Sequence, residues 1–223
     1  MIPRKYFDLG FMLLGLLIQV VTFVISWHLS PCEGRMMTFS FICGCLGVFS
    51  VCLTAQGKMT MYLFGFLQVW LYLYISWKQQ LYGQVAINTF YFASMVYGVF
   101  AWRKRLQKDS QTVSTRRLSN SWRVGLVCLT ILVSCLAGWG LSAWTDDKQP
   151  YLDAFTTIPA LVAQVLMILV FSEHWYIWLA VDTLSVVMWI YVGDYCLAAQ
   201  YMFWCANCLY GLYRWRSLGI SKV

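Results

Sequence analysis

Charged residues are scarce in this chain. They make up 11% of its 223 residues, whereas residues of hydrophobic type make up 61%. Soluble domains carry about 25% charged and about 45–50% apolar residues. Because a soluble chain of this length must keep a polar surface, the composition excludes an ordinary globular domain and predicts an integral membrane protein.

Residue types that bind metals or perform catalysis are also sparse. The two histidines, His28 and His174, lie near the ends of different apolar runs, and Cys205-x-x-Cys208 has no second pair to complete a metal site. We therefore interpret the cysteines as small packing residues. No nucleophile and base come together in the sequence, and there is no phosphate-binding loop for ATP. The sequence thus predicts no enzyme, no metal site and no cofactor.

Eight apolar runs are long enough to cross a bilayer as helices, since a span needs about 20 residues. The predicted spans cover residues 9–29, 36–54, 59–77, 84–102, 124–144, 152–171, 175–191 and 195–213. Most connections are short, so neighbouring helices are expected to be antiparallel. The fold class is therefore an all-α polytopic membrane protein with eight transmembrane helices.

The distribution of Lys and Arg predicts the orientation in the membrane. Of the 16 basic residues, 13 fall on the side of the N-terminus and three on the opposite side. Basic residues favour the cytoplasmic side, so both termini should face the cytoplasm. The long basic loop at 103–123 is then expected to be a solvated cytoplasmic segment with no special function. The net charge of +7 is explained by these loops, and no nucleic-acid partner is expected.

An internal repeat is visible in the aromatic residues. The motif Y-G-x-x-x-W-R begins at Tyr97 and recurs at Tyr210, and the spacing between these two tyrosines defines the repeat offset. A slip of one residue then aligns Tyr62 with Tyr176 and Gln68 with Asp182. The predicted parts are a peripheral N-terminal helix (1–35), a first three-helix repeat (36–102), the basic loop with a linker helix (103–144) and a second three-helix repeat (145–223). A parallel repeat of this kind places a substrate site near the midplane between the halves.

Polar residues within the spans fall on single helical faces, and such residues usually face the bundle interior. The candidate substrate-binding residues are Gln68, Tyr72, Asn88, Tyr91, Gln164, Trp178, Asp182, Trp189 and Asn207. Asp182 lies mid-span with no basic residue at that depth. It is protonated, hydrogen-bonded to an amide, or available for a cation. Amides satisfy sugar hydroxyls and aromatic faces attract cationic rings, so the pattern suits a flat, hydroxylated ligand.

Three stretches resemble the PnuC family of bacterial nicotinamide riboside transporters. They are Pro150-Tyr151-Leu152-Asp153 with Thr156, Thr157 and Gln164; Trp175-x-x-Trp178-x-x-x-Asp182; and Asn88-x-x-Tyr91 followed by the Y-G-x-x-x-W motif. The resemblance implies a fold like the SWEET sugar transporters, with three helices, a linker and three helices, plus an extra N-terminal helix. It also implies that Gln68, Asn88, Tyr91, Trp178 and Asp182 line the pocket.

The same resemblance implies a function. We expect uptake of nicotinamide riboside by facilitated diffusion through the bacterial inner membrane, followed by phosphorylation in the cytoplasm and use in NAD biosynthesis. It also suggests a homotrimer. Relatives in this family carry other vitamins, and thiamine is likewise a cationic aromatic molecule. A thiamine or other vitamin transporter is therefore the alternative hypothesis.

Overall fold

The chain folds into eight α-helices in a computed structural model that describes residues 4–29, 34–78, 82–107, 112–145, 149–192, 195–216 and 218. The helices are α1 (Arg4–Leu29), α2 (Gly34–Ala55), α3 (Met61–Lys78), α4 (Tyr82–Arg103), α5 (Asn120–Trp144), α6 (Pro150–Ile168), α7 (His174–Val192) and α8 (Tyr195–Arg216). Within these ranges the only β contacts are isolated bridges, and no strand forms. The prediction of an all-α chain with eight helices is confirmed.

The helices satisfy their own backbone hydrogen bonds, as a chain in lipid requires. By length and composition alone, five described segments are apolar enough to cross a membrane. They are Lys5–His28, Thr38–Ala55, Val85–Arg103, Asn120–Trp144 and Pro150–Ile168. Local sequence fixes two of the helix starts: Ser119 caps α5 by accepting a hydrogen bond from the Trp122 backbone, and Pro150 opens α6.

The helices group into two units, Met1–Val113 and Ser114–Val223. In the first unit α1 packs on α2, α2 on α3 and α3 on α4, and in the second α5, α6, α7 and α8 pack in the same chain order. Short connections explain this order, since consecutive antiparallel helices bury their apolar faces against each other. The finer division at residues 35, 102 and 144 stays a prediction.

The turns between α2 and α3 and between α6 and α7 have the same hydrogen bonds at positions related by the repeat offset. In the first turn the Lys58 N–H donates to the Leu53 carbonyl at 3.0 Å, and in the second the Phe171 N–H donates to the Leu166 carbonyl at 2.9 Å. Each turn is thus closed in the same way. The two turns are structural equivalents with no slip between them.

A pair of aromatic rings repeats with the same offset. Tyr62 and Trp102 meet edge to face, with ring centroids 5.5 Å apart and an interplanar angle of 85°. Trp175 and Trp215 meet at 5.8 Å and 85°. Tyr62 is therefore equivalent to Trp175, and its predicted alignment with Tyr176 is wrong. The slip was inferred because it pairs a tyrosine with a tyrosine. In the structure the equivalent positions are a tyrosine and a tryptophan, which occupy the same place in the two ring pairs.

The basic loop between α4 and α5 is partly bound to the protein. Val113 and Thr115 are fully buried. The Val113 N–H donates to the Gly57 carbonyl at 3.0 Å, and the Arg116 N–H donates to the Val170 carbonyl at 2.8 Å. The expectation of a solvated loop is therefore wrong for Val113 and Thr115, because backbone pairing with the two turns holds this part of the loop against the protein, whereas Arg117 is exposed as expected.

Candidate functional site

Asp182 is a buried carboxylate on α7. It is 6% exposed, and its Oδ2 atom accepts a hydrogen bond from the Cys208 thiol of α8 at 3.4 Å. No Lys, Arg or His among the described residues forms an ion pair with it; the ion pair seen in this unit joins Arg123 to Glu173. Burial of a carboxylate is costly unless it is paired, protonated or bound to a cation. Asp182 therefore either holds a proton or is available for a cation.

Polar and aromatic groups continue along the same face of α7. Trp178 lies one turn before Asp182 and is half-buried. Ser185 follows within one turn, is buried, and donates to the Val181 carbonyl at 2.9 Å. Trp189 belongs to α7 by its backbone, but its side chain is outside the described part of the chain. Trp178, Asp182 and Ser185 are separated by four and three residues, so they lie on one face of α7.

The neighbouring helices of the second unit contribute two buried amides. Asn207 on α8 is 2% exposed and directly precedes Cys208, the donor to Asp182. Gln164 on α6 is 5% exposed and adjoins Ala163, which is fully buried. The α7–α8 packing therefore brings a carboxylate and a thiol together, while Asn207 on α8 and Gln164 on α6 are buried amides of the same unit.

The candidate residues of the first unit lie on α3 and α4. The Gln68 side chain rests on Gly47 of α2, where a Cβ atom would lie 2.9 Å from the Gln68 Nε2 atom. Tyr72 is one turn further along α3 and is 39% exposed. Gly47 thus provides the space that allows a polar amide to lie between two helices.

On α4, Asn88 is buried and Tyr91 is half-buried, and the two lie on one face because they are separated by about one helical turn. Ser94 completes this face and donates to the Tyr91 carbonyl at 2.8 Å. Aromatic rings lie on the adjoining helices, where Phe66 of α3 meets Phe92 of α4 edge to face at 5.2 Å. Amide and ring chemistry is therefore present in this unit, whereas its described helices bury no carboxylate.

Sequence reasoning missed the role of Cys208. Its position in Cys205-x-x-Cys208 suggested only packing, yet its thiol contacts Asp182. Asp182 lies on α7 and Cys208 on α8. Their contact depends on how the two helices are aligned against each other, and no local motif encodes that alignment. Among the described residues no group of three His, Cys, Asp or Glu has the geometry to bind a metal ion. The arrangement offers hydrogen bonds, aromatic faces and one carboxylate.

Comparison with known proteins places these features in a family. The family model described as "Nicotinamide mononucleotide transporter" matches residues 37–217. Two similar relatives are named nicotinamide riboside transporter PnuC. The one from Haemophilus influenzae is 29% identical, covering 80% of this chain and 79% of the relative, and the one from Neisseria mucosa is 28% identical, covering 96% and 82%.

A solved structure shows the same architecture. It is described as the crystal structure of the vitamin B3 transporter PnuC, and its sequence is 28% identical to this chain. The TM-score is 0.74, and the match covers 94% of this chain and 90% of the other. The similarity therefore extends over nearly the whole chain.

Proposed function

Since the chain belongs to the nicotinamide mononucleotide transporter family, which includes the PnuC proteins, we propose that it takes up nicotinamide riboside through the bacterial cytoplasmic membrane. Members of this family are multi-pass membrane transporters and not enzymes. The relatives' names support the choice of substrate. The proposal agrees with the polar residues of the spans, which are amides and rings rather than catalytic groups.

The observation that carries the proposal is the buried Asp182 with its Cys208 donor. Nicotinamide riboside has a positively charged aromatic ring attached to a neutral ribose. The Asp182 carboxylate balances the ring charge, and Trp178 offers a ring face for cation–π contact. The amides of Gln68, Asn88, Gln164 and Asn207, with Tyr72, Tyr91 and Trp189, complete the proposed binding residues.

Transport is proposed to be facilitated diffusion. An interior-negative potential of about 100 mV favours entry of a monovalent cation by about 2.3 kcal/mol, so no coupled ion is needed. Phosphorylation in the cytoplasm then adds negative charge and prevents return through the same pathway. This charge change makes the trapping step compatible with a simple uniporter.

The absence of Lys and Arg from the middle of the spans favours the riboside over its mononucleotide, because a phosphate needs cationic partners. Calorimetry with the purified protein distinguishes the candidates. We expect binding of nicotinamide riboside and no binding of nicotinamide mononucleotide or thiamine. Binding of thiamine alone would make thiamine the substrate and leave the assignment of the fold unchanged. Binding of the mononucleotide at equal affinity would contradict the charge argument.

Three further features belong to the proposal. Both termini face the cytoplasm, the two units are a SWEET-like parallel repeat, and the protein is a homo-oligomer, with a trimer proposed from the family. Native mass spectrometry of the protein released from detergent reports the number of copies. A monomer under conditions that preserve riboside binding would remove the trimer from this proposal.

A further inference from the structure

A basic cavity lies in the second unit, where α5 and α7 begin and α8 ends. Its volume is about 540 Å³, and three arginines line it: Arg117, Arg123 and Arg216. Ser172 and Tyr176 add hydroxyl groups to the wall. This cavity is separate from Asp182, which lies further along α7 and does not line it.

The charges of the cavity do not balance. Among the described residues that line it, Glu173 is the only acidic one, and its Oε1 atom is held by Arg123, with the Nη2 atom at 2.8 Å and the Nε atom at 3.0 Å. Within the described ranges neither Arg117 nor Arg216 forms an ion pair. Three guanidinium groups therefore face one carboxylate, and two positive charges remain for a ligand.

The residues around Arg117 are fixed in position. The Ser172 N–H donates to the Arg116 carbonyl at 3.0 Å, and the Leu118 N–H donates to the Glu173 Oε1 atom at 3.2 Å. These bonds attach both neighbours of Arg117 to the turn between α6 and α7. The backbone that carries this guanidinium is thus already positioned, which lowers the entropic cost of binding.

Orientation in the membrane alone does not explain this cluster. The positive-inside rule explains why basic residues are common on the cytoplasmic side, but it does not require several of them to line one cavity. Comparison with the equivalent turn of the first unit shows which wall residues are specific to the second unit. By the repeat offset, the polar wall residues Ser172, Glu173 and Tyr176 correspond to Met59, Thr60 and Leu63. Thr60 keeps a hydroxyl but no charge, so the carboxylate of Glu173 and the phenol of Tyr176 are properties of the second unit and not of the shared turn.

Two polar atoms of the wall are buried without a hydrogen-bond partner among the described residues: the Ser172 Oγ atom and the Glu173 Oε2 atom. A hydroxyl can donate to a phosphate oxygen, and a carboxylate oxygen can accept from a ligand hydroxyl. Arg guanidinium groups bind phosphate through paired hydrogen bonds. We propose that this cavity binds a hydroxylated phosphate ester, with the phosphate on Arg117 and Arg216 and, after a side-chain rotation that exposes the Oε2 atom, a ligand hydroxyl on Glu173.

Such a group has two sources, an anionic lipid headgroup or a soluble phosphate ester. Basic pockets at the ends of transmembrane helices are suited to lipid headgroups. Glycerol phosphate carries a phosphate and free hydroxyl groups without acyl chains, as a monoester in place of the phosphodiester of the lipid. The two sources are separated by comparing phosphatidylglycerol with glycerol phosphate as probes, each against the full-length protein.

The test measures lipid retention by native mass spectrometry in mixed phosphatidylglycerol and phosphatidylcholine, and glycerol phosphate affinity by calorimetry. Arg216→Gln is the main variant, because Arg216 is exposed at the end of α8 and its loss should not prevent folding. We expect about tenfold weaker binding of the probe that occupies the cavity, from loss of one charged hydrogen-bond pair. Arg117→Gln should have the same effect.

Arg103→Gln is the matched control. Arg103 occupies the position equivalent to Arg216 at the end of α4 and is also exposed, but it does not line this cavity. Retention of phosphatidylglycerol alone identifies a lipid site, and binding of glycerol phosphate identifies a site open to soluble esters. Binding of neither probe above the phosphatidylcholine background, or equal loss in Arg103→Gln, would overturn the proposal.

Discussion

Val170 adopts the same left-handed backbone conformation as Gly57, its equivalent in the first unit, with φ angles of 64° and 69°. A left-handed conformation suits glycine and is uncommon for a β-branched residue. Val170 is nevertheless retained there, fully buried, because the turn is closed by the same hydrogen bonds in both units. The turn geometry is therefore preserved even where the residue type does not favour it.

Gly57→Ala should destabilise the protein. The left-handed conformation costs a residue with a Cβ atom about 1–2 kcal/mol, and each kcal/mol lowers the unfolding temperature of a chain of this size by about 2–4 °C. Heat-induced loss of the monodisperse species in detergent measures the change. Gly10→Ala on α1 is the control, since a Cβ there meets nothing within 4 Å. An unchanged midpoint for Gly57→Ala would contradict the assigned turn.

The helices could be predicted from the sequence, but the register within the repeat could not. Apolar runs of about 20 residues identify spans regardless of their partners. The slip that aligned Gln68 with Asp182 came from matching residue types, whereas the repeat offset without a slip makes Val69 the equivalent of Asp182. The carboxylate thus has an apolar counterpart. The Y-G-x-x-x-W-R motif has the offset without a slip, whereas the residue types of α3 and α7 favoured the slip, and the turn geometry decides between the two alignments.

The orientation of the chain can be tested with introduced cysteines. Lys104→Cys lies just after α4, and Ser142→Cys lies near the far end of α5; both positions are exposed. Because basic residues favour the cytoplasm, an impermeant maleimide added to intact cells should label Ser142→Cys and spare Lys104→Cys until the membrane is opened. Labelling in the reverse order would place both termini outside. The unmodified protein provides the background from native cysteines.

Trp178→Ala should weaken binding of nicotinamide riboside by loss of ring contact. Cation–π contacts contribute about 0.5–2 kcal/mol, which corresponds to about two- to 30-fold in affinity. Trp178→Phe keeps an aromatic face and should retain part of the binding. Trp122→Ala is the control, because Trp122 is 72% exposed at the start of α5. Calorimetry that finds equal affinity for all three variants would place Trp178 outside the binding site.

Asp182→Asn should weaken binding of the cationic riboside and leave a neutral analogue unaffected. The variant keeps the size and a hydrogen-bonding group but removes the charge, and we expect a loss of about tenfold or more for the cation. The reduced form, dihydronicotinamide riboside, has nearly the same shape without the ring charge. Asp153→Asn, an exposed carboxylate on α6, is the control. Equal losses for the charged and neutral ligands would reject Asp182 as counter-charge.

Sequence reasoning could predict that the mid-span amides and Asp182 are buried, because the free-energy cost of a polar group in lipid restricts such groups to the bundle interior. Asp182, Asn88, Gln164 and Asn207 are indeed buried. Cys208 could not be identified in this way, since a thiol is inexpensive to bury and carries no such mark. Its importance depends on which residue of α7 it meets, and helix packing alone determines that.

Cys208→Ala should weaken riboside binding modestly, by about two- to fivefold, because a thiol is a weak donor and its hydrogen bond is expected to contribute only about 0.5–1 kcal/mol. The thiol orients the Oδ2 atom of Asp182, so Cys208→Ser, which keeps a donor, should restore affinity. Cys205→Ala is the matched control on the same helix, since Cys205 contacts Thr183 at 3.7 Å instead of Asp182. If Cys208→Ala and Cys208→Ser lose affinity equally, the thiol packs against the site and does not orient the carboxylate. Full affinity in Asp182→Asn combined with a loss in Cys208→Ala would separate Cys208 from the charge and assign it to pocket shape.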